Sequence, residues 1–211
     1  MTQLGSTSRR TLFIAAAASV AAGPAANALA TSGSASQGSR RTRDTLDFIQ
    51  EMTTKSQDPA DERFAPMLDW ADDTLSATDV FAQPPEGVQI SGVTFSSASL
   101  TSTGVFNDMQ VNPQGVWLEG TAQLAAALDD RGKPRDRARA VAHLQEIEKA
   151  RRVVGQDQHV DGEPIMGGVV AATSTIDTGF GFAYFQVQHT TASAWTVMAS
   201  RRTNPMQLGE L

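Results

Sequence analysis

The sequence predicts a mainly α domain built of helical hairpins, with a short extended, β-like middle, behind a removable N-terminal segment. Three observations carry this. Apolar residues recur at helical spacing on both sides of the middle, the stretch from Val88 to Val111 turns to β-branched and Ser/Thr residues, and Arg9-Arg10 stands directly before a short Ala-rich run. A length of 211 residues with 40% hydrophobic content suits one soluble domain plus an appendage.

The N-terminus reads as a charged region, an apolar region of 11 residues from Leu12 to Ala22, and a small-residue cleavage site at Ala28-Leu29-Ala30. An apolar run that short falls below the roughly 20 residues needed to span a bilayer, so a cleaved signal over residues 1–30 is expected rather than an anchor. Arg9-Arg10 followed by Thr11-Leu12-Phe13 resembles the twin-arginine export signal, which addresses folded proteins to the export machinery. An ordinary secretory signal with two chance arginines is the alternative. Either route implies a periplasmic or extracellular location. Loss of residues 1–30 removes two arginines and no acids, which moves the formal charge from −6 to −8. Residues 31–39, rich in Ser, Gly, Ala and Gln, read as a flexible linker, and residues 40–211 as the folded domain.

Along the domain, Leu46, Ile49 and Phe48/Met52 predict a helix from Arg41 to about Lys55 that ends at Asp58-Pro59. Phe64, Met67/Leu68 and Ala71 or Leu75 predict a second, amphipathic one from Asp61 to about Leu75. Short strands or extended loop are expected between Val88 and Val111. After the turn signal Asn112-Pro113-Gln114-Gly115, the stripe Trp117, Thr121, Leu124, Leu128 predicts a helix ending at Arg131-Gly132. Pro134 opens another, to about Val154, so that the two form a hairpin. Residues 155–177 read as a polar, Gly-rich loop. Phe180, Phe182, Tyr184 and Phe185 follow, and a last helix runs from His189 to about Ser200 with Ala192, Trp195 and Ala199 on one stripe.

The absence of cysteine excludes thiolate metal sites, iron–sulfur clusters and catalytic thiols, and three histidines without ligand spacing predict no metal. No Walker loop, dinucleotide fingerprint, nucleophile elbow or His-Glu-x-x-His motif is present, so no cofactor is expected. The acidic balance argues against nucleic-acid binding.

Val116-Trp117-Leu118-Glu119-Gly120-Thr121-Ala122-Gln123, then Thr178-Gly179-Phe180-Gly181-Phe182-Ala183-Tyr184, then His189 to Ala194-Trp195 and Asn204-Pro205, together resemble the C-terminal region of bacterial secreted six-hairpin, (α/α)6-barrel glycosidase-like proteins. Phe182 stands where that pattern has Trp, and Thr190, Thr191 and Ser193 interrupt its last helix. The resemblance implies helical hairpins of an (α/α)6 toroid. Twelve helices with their loops need roughly 330–400 residues, so an incomplete toroid is expected, with open edges prone to self-association.

The resemblance also implies an exported carbohydrate-active protein of glycoside hydrolase-like type, acting on an oligo- or polysaccharide held in an acidic, aromatic-lined cleft. Glycoside cleavage needs two carboxylates about 5–9.5 Å apart. Glu119, at a helix start beside Trp117, is the first candidate, where the helix dipole favours its ionised form. Capping the helix is its alternative role. Asp177 is taken as the second carboxylate, with Asp108, Asp157 and Asp161 open, although loop aspartates usually bind nearby amides. Trp117, Tyr184, His189 and Trp195 are the candidate substrate-binding residues. Most of the aromatic cluster is expected in the core, with Tyr184 and Trp117 as the exposed exceptions because each has a polar handle. Two further readings stay open: a noncatalytic, truncated sugar-binding or structural remnant, and a helical export-side protein with an unrelated partner.

Overall fold

The structure, a computed structural model, describes residues 66–81 and 86–205. The expected signal, linker, first helix and opening of the second lie outside the described residues. Helices α1 (Pro66–Thr74), α2 (Leu118–Arg131), α3 (Asp136–Val153) and α4 (Thr190–Ser200) are joined by eight short strands in four antiparallel hairpins: β1 (Ser76–Val80) with β2 (Gln89–Val93), β3 (Val105–Phe106) with β4 (Met109–Gln110), β5 (His159–Val160) with β6 (Glu163–Pro164), and β7 (Ile176–Asp177) with β8 (Ala183–Tyr184). About 38% of the described residues are helical and 19% are in strands or bridges, so the fold is an α/β mix. The expectation of a mainly α set of toroid hairpins is corrected accordingly.

The reason lies in two segments. Residues 76–80 were expected only as the end of a helix and its exit, yet they form β1, whose inward positions are Ala77 and Asp79. One small and one charged residue make no apolar alternation to read. The segment Val169–Ile176, expected as polar loop, is almost wholly buried. It runs between residues 116–118 and 183–189. Trp117 bridges Ala172, Leu118 N–H donates to the Ala171 carbonyl at 3.1 Å, Ala171 N–H donates to Val187 at 2.8 Å, and His189 N–H donates to Val169 at 2.9 Å. Trp117 N–H also donates to the Val93 carbonyl at 2.8 Å, which joins β2 to the same layer. An extended segment covered on both faces has no polar side to alternate with, so no period marks it in the sequence.

Against this layer pack the helices. α2 lies at the centre: Leu118, Ala122, Leu124, Ala125, Ala126 and Leu128 are buried on several sides, and its small alanines let α3 and α4 approach. The expected hairpin of α2 and α3 forms, with Gly132 in the left-handed conformation (φ 63°) returning its N–H to the Leu128 carbonyl. α4 buries Ala192, Trp195 and Ala199 against α2.

Two polar clusters fix the packing. Buried Arg131 forks onto Asp136 (2.8 and 2.7 Å) and onto Asp69 (3.1 and 2.7 Å). Arg139 adds Asp69 and Asp72, and His143 Nε2 lies 2.8 Å from Asp72, so α1 is tied to the α2–α3 turn. The hydrogen bond from Arg131 holds Asp69 below the usual carboxylate range; burial pushes Asp136 up, but Arg131, the Lys133 N–H and Arg139 together outweigh it and the net shift is down. On the other side, buried Asp79 accepts from Thr173 Oγ1 (2.6 Å) and Asn112 Nδ2 (2.9 Å), while Thr173 Oγ1 accepts Val116 N–H (2.9 Å). No helix among the described residues is long and apolar enough to cross a membrane.

Candidate functional site

Three of the strings of the resemblance, 116–123 and, more than fifty residues later, 178–184 and 189–195, meet at the N-terminal ends of α2 and α4, while Asn204-Pro205 lies past the other end of α4. Trp117 is the N-cap of α2 and Glu119 its second residue. His189 is the N-cap of α4, with Nδ1 accepting Ala192 N–H at 3.4 Å. β8 brings Tyr184 between them: its ring stacks on Trp117 at 5.8 Å and meets His189 edge-on at 6.3 Å.

Glu119 is 6% exposed. Its Oε1 accepts from Gln123 Nε2 at 3.1 Å, and its Oε2 lies 3.7 Å from His189 Nδ1. Burial pushes the carboxyl up to about 7. The expectation that the helix dipole favours the ionised form is thus overridden, because desolvation of a carboxylate outweighs the partial charge of one helix end. The expected capping alternative is also absent in geometry: α2 has no side-chain cap bond at its start. Burial lowers the His189 imidazole and raises the Tyr184 phenol, with the Glu119 charge adding to the latter. Tyr184 therefore stays protonated and His189 neutral at pH 7.

Phe180 and Phe182 lie in the turn between β7 and β8 and Tyr184 in β8, and the three rings gather over one residue. Phe95, buried beneath them, meets Phe180 at 6.2 Å, Phe182 at 6.1 Å and Tyr184 at 5.6 Å, all between ring centroids. Phe180 is 61% and Phe182 47% exposed, whereas Trp117 is 2% exposed. The expected order is reversed: Trp117 is the floor, and the two phenylalanines carry the open faces. Gly179 and Gly181 flank Phe180 with φ of 80° and 83°, a left-handed conformation that turns the loop and presents the ring outward. Trp117 can lie over the first turn of α2 because Gly120 has no side chain; a Cβ there would sit 2.8 Å from Trp117 Cδ2 and nearer still to Cε3 and Cζ3.

Asp177 lies at the other end of this surface. Its Oδ2 accepts from Ser102 Oγ at 2.6 Å and its Oδ1 accepts Gly179 N–H at 2.8 Å, so both oxygens hold the loop that carries Phe180. No neighbouring carboxylate contributes to the upward shift of Glu119. Asp108 sits on the β3–β4 turn with φ 60°, and Asp157 and Asp161 on or beside the β5–β6 hairpin, all three exposed. Trp195 is 3% exposed and belongs to the helical core. Sequence reasoning missed Gln123 and Phe95 and misplaced Phe180 and Phe182; the Phe-Gly-Phe-x-Tyr spacing was the available signal for the last two. No group of three or more metal-ligating side chains occurs among the described residues.

No protein-family model, curated protein or solved structure matches the chain.

Proposed function

We propose that this chain is an exported carbohydrate-active protein of glycoside hydrolase-like type, and that Glu119 is its proton donor. One observation carries the reading: a buried carboxyl, raised to about 7, at the end of an exposed aromatic surface. Flat apolar rings offer a sugar's C–H faces the contact they lack elsewhere on a polar surface. A carboxyl that is still protonated near neutral pH can give its proton to a leaving glycosidic oxygen, while water adds to the anomeric carbon and yields its own proton to a base. His189 Nδ1 already accepts a backbone N–H, so it faces Glu119 with no proton to compete and favours the protonated carboxyl.

The noncatalytic sugar-binding reading is favoured by a different observation, the engagement of both Asp177 oxygens with Ser102 and Gly179. Glu119→Gln separates the two. Screened on oligosaccharides, the enzyme reading expects turnover to fall by about 10²–10⁴-fold with binding retained. No turnover by the wild type, with binding that Phe182→Ala weakens, selects the binding module. No carbohydrate binding of any kind rejects both.

A further inference from the structure

The charge around this surface carries a restriction on the ligand. Residues 64–130 and 153–200 contain thirteen Asp and Glu and not one Lys or Arg. Those two stretches supply the whole extended layer, the aromatic surface, and the N-terminal ends of α2 and α4. The described cations sit elsewhere: Arg131, Lys133, Arg135, Arg137 and Arg139 around the α2–α3 turn, Lys149, Arg151 and Arg152 along α3, and Arg201 and Arg202 past α4. Arg131 and Arg201 lie at the far ends of the helices that begin at Glu119 and His189, about 15–18 Å along each axis at 1.5 Å per residue. α3 runs back toward the site, but its cations there are already paired. Arg151 and Arg152 both bind Glu148, which they pull down to about 2, and Lys149 binds Glu146. The charged group that lies on the aromatic loop itself is an acid, Asp177, bonded to Gly179 N–H and Ser102 Oγ.

An anionic sugar chain needs guanidinium or ammonium partners to offset its desolvation, as charge-assisted bonds to carboxylate and phosphate do in general. Among the described residues it would meet the phenyl faces and the Asp177 carboxylate, with no Lys or Arg in the stretches that carry them. We propose that the surface of Phe180, Phe182 and Tyr184 takes a glycan free of anionic groups, neutral or amino-bearing, and rejects chains carrying uronate, sulfate or phosphate. This rests on the carbohydrate reading above.

The test compares matched oligosaccharides that differ only in charge: uronate chains and the same chains after carboxyl reduction to neutral sugars, with a glucosamine oligomer as a third arm, titrated against the full chain. The neutral or amino-bearing member should bind at least about tenfold more tightly at low salt, and the gap should narrow as salt approaches about 0.5 M, where charges are screened within a few ångströms. Phe180→Ala with Phe182→Ala, both at exposed positions, should abolish that binding with the circular dichroism spectrum unchanged. Equal or tighter binding of the uronate chains overturns the inference and leaves the carbohydrate reading standing. A gap that ignores salt also overturns it, because shape then discriminates. Binding that survives the double substitution places the ligand elsewhere and overturns it as well. Binding of no glycan in any pair removes the carbohydrate reading itself.

Discussion

Glu119 Oε2 lies 3.7 Å from His189 Nδ1, and that nitrogen is the acceptor for Ala192 N–H at 3.4 Å. A ring nitrogen that accepts a backbone proton carries none of its own, so the nearest polar atom on this side of the carboxyl offers a lone pair. Ionising Glu119 would set a buried negative charge against that lone pair. The cap of α4 and the protonation of Glu119 are therefore coupled through one imidazole nitrogen.

Stability should register this coupling. Glu119 titrates near 7 in the fold against an ordinary 4.5. A raised acid contributes fully at low pH and loses its contribution as pH climbs from 4.5 to 7, here by about 3 kcal/mol at most. His189 acts with the opposite slope: lowered by burial, it supports the fold above its unfolded value near 6.5 and loses that support as pH falls through its lower folded value. Urea unfolding from pH 4 to 9 should show Glu119→Gln losing the decline between pH 5 and 7.5 while keeping the acid limb. A parallel profile for variant and wild type would remove the raised carboxyl.

The same proton sets the expected pH dependence of turnover. A donor that must be protonated makes activity fall as pH rises above about 7. Glu119→Asp keeps the group but pulls it back from Gln123 and the aromatic surface, so activity should drop at every pH while binding survives. An alkaline limb that persists unchanged in Glu119→Gln would assign the titration to another group.

Arg131 is the tie between α1 and the α2–α3 turn, with side-chain exposure of 1% and two carboxylates in its fork. Arg131→Met leaves Asp136 buried without its principal partner, and the expected loss is about 3–5 kcal/mol by denaturant unfolding. Arg131→Met with Asp136→Leu should recover much of it. Equal instability of the single and double variants would mean that packing rather than charge holds the turn.

How much of this was legible depended on which residues faced inward. The helices α2, α3 and α4 followed from apolar stripes such as Trp117, Thr121, Leu124 and Leu128 and from the stop at Gly132; α2 is buried on several sides, but small alanines fill its other faces and leave the large residues at helical spacing. β1 did not, since Ala77 and Asp79 are its inward residues, and Asp79 is acceptable there only because Thr173 and Asn112, 94 and 33 residues away, donate to it. The buried segment Val169–Ile176, held by isolated bridges rather than a regular ladder, was invisible because both its sides are covered. In the site, Glu119, Tyr184 and His189 were named from the resemblance and from their side-chain chemistry and do converge, but which rings face water depended on Phe95, whose position beneath them no local pattern encodes.

Gly120 offers the sharpest check on the floor of the site. In an exposed helix, Gly→Ala stabilises by about 1 kcal/mol through propensity. At Gly120 the new methyl would fall 2.8 Å from Trp117 Cδ2, with the neighbouring ring atoms nearer still, and the indole has Phe95 against it at 4.8 Å and Tyr184 stacked on it at 5.8 Å. The ring cannot move without carrying Tyr184 away from His189, so Gly120→Ala should destabilise by about 1–3 kcal/mol despite the better helix former. It should also change the tryptophan fluorescence and weaken glycan binding, because the floor under Tyr184 would be displaced. If Gly120→Ala instead raises the melting temperature and leaves the fluorescence alone, Trp117 does not lie over the first turn of α2, and the aromatic surface loses the support assigned to it.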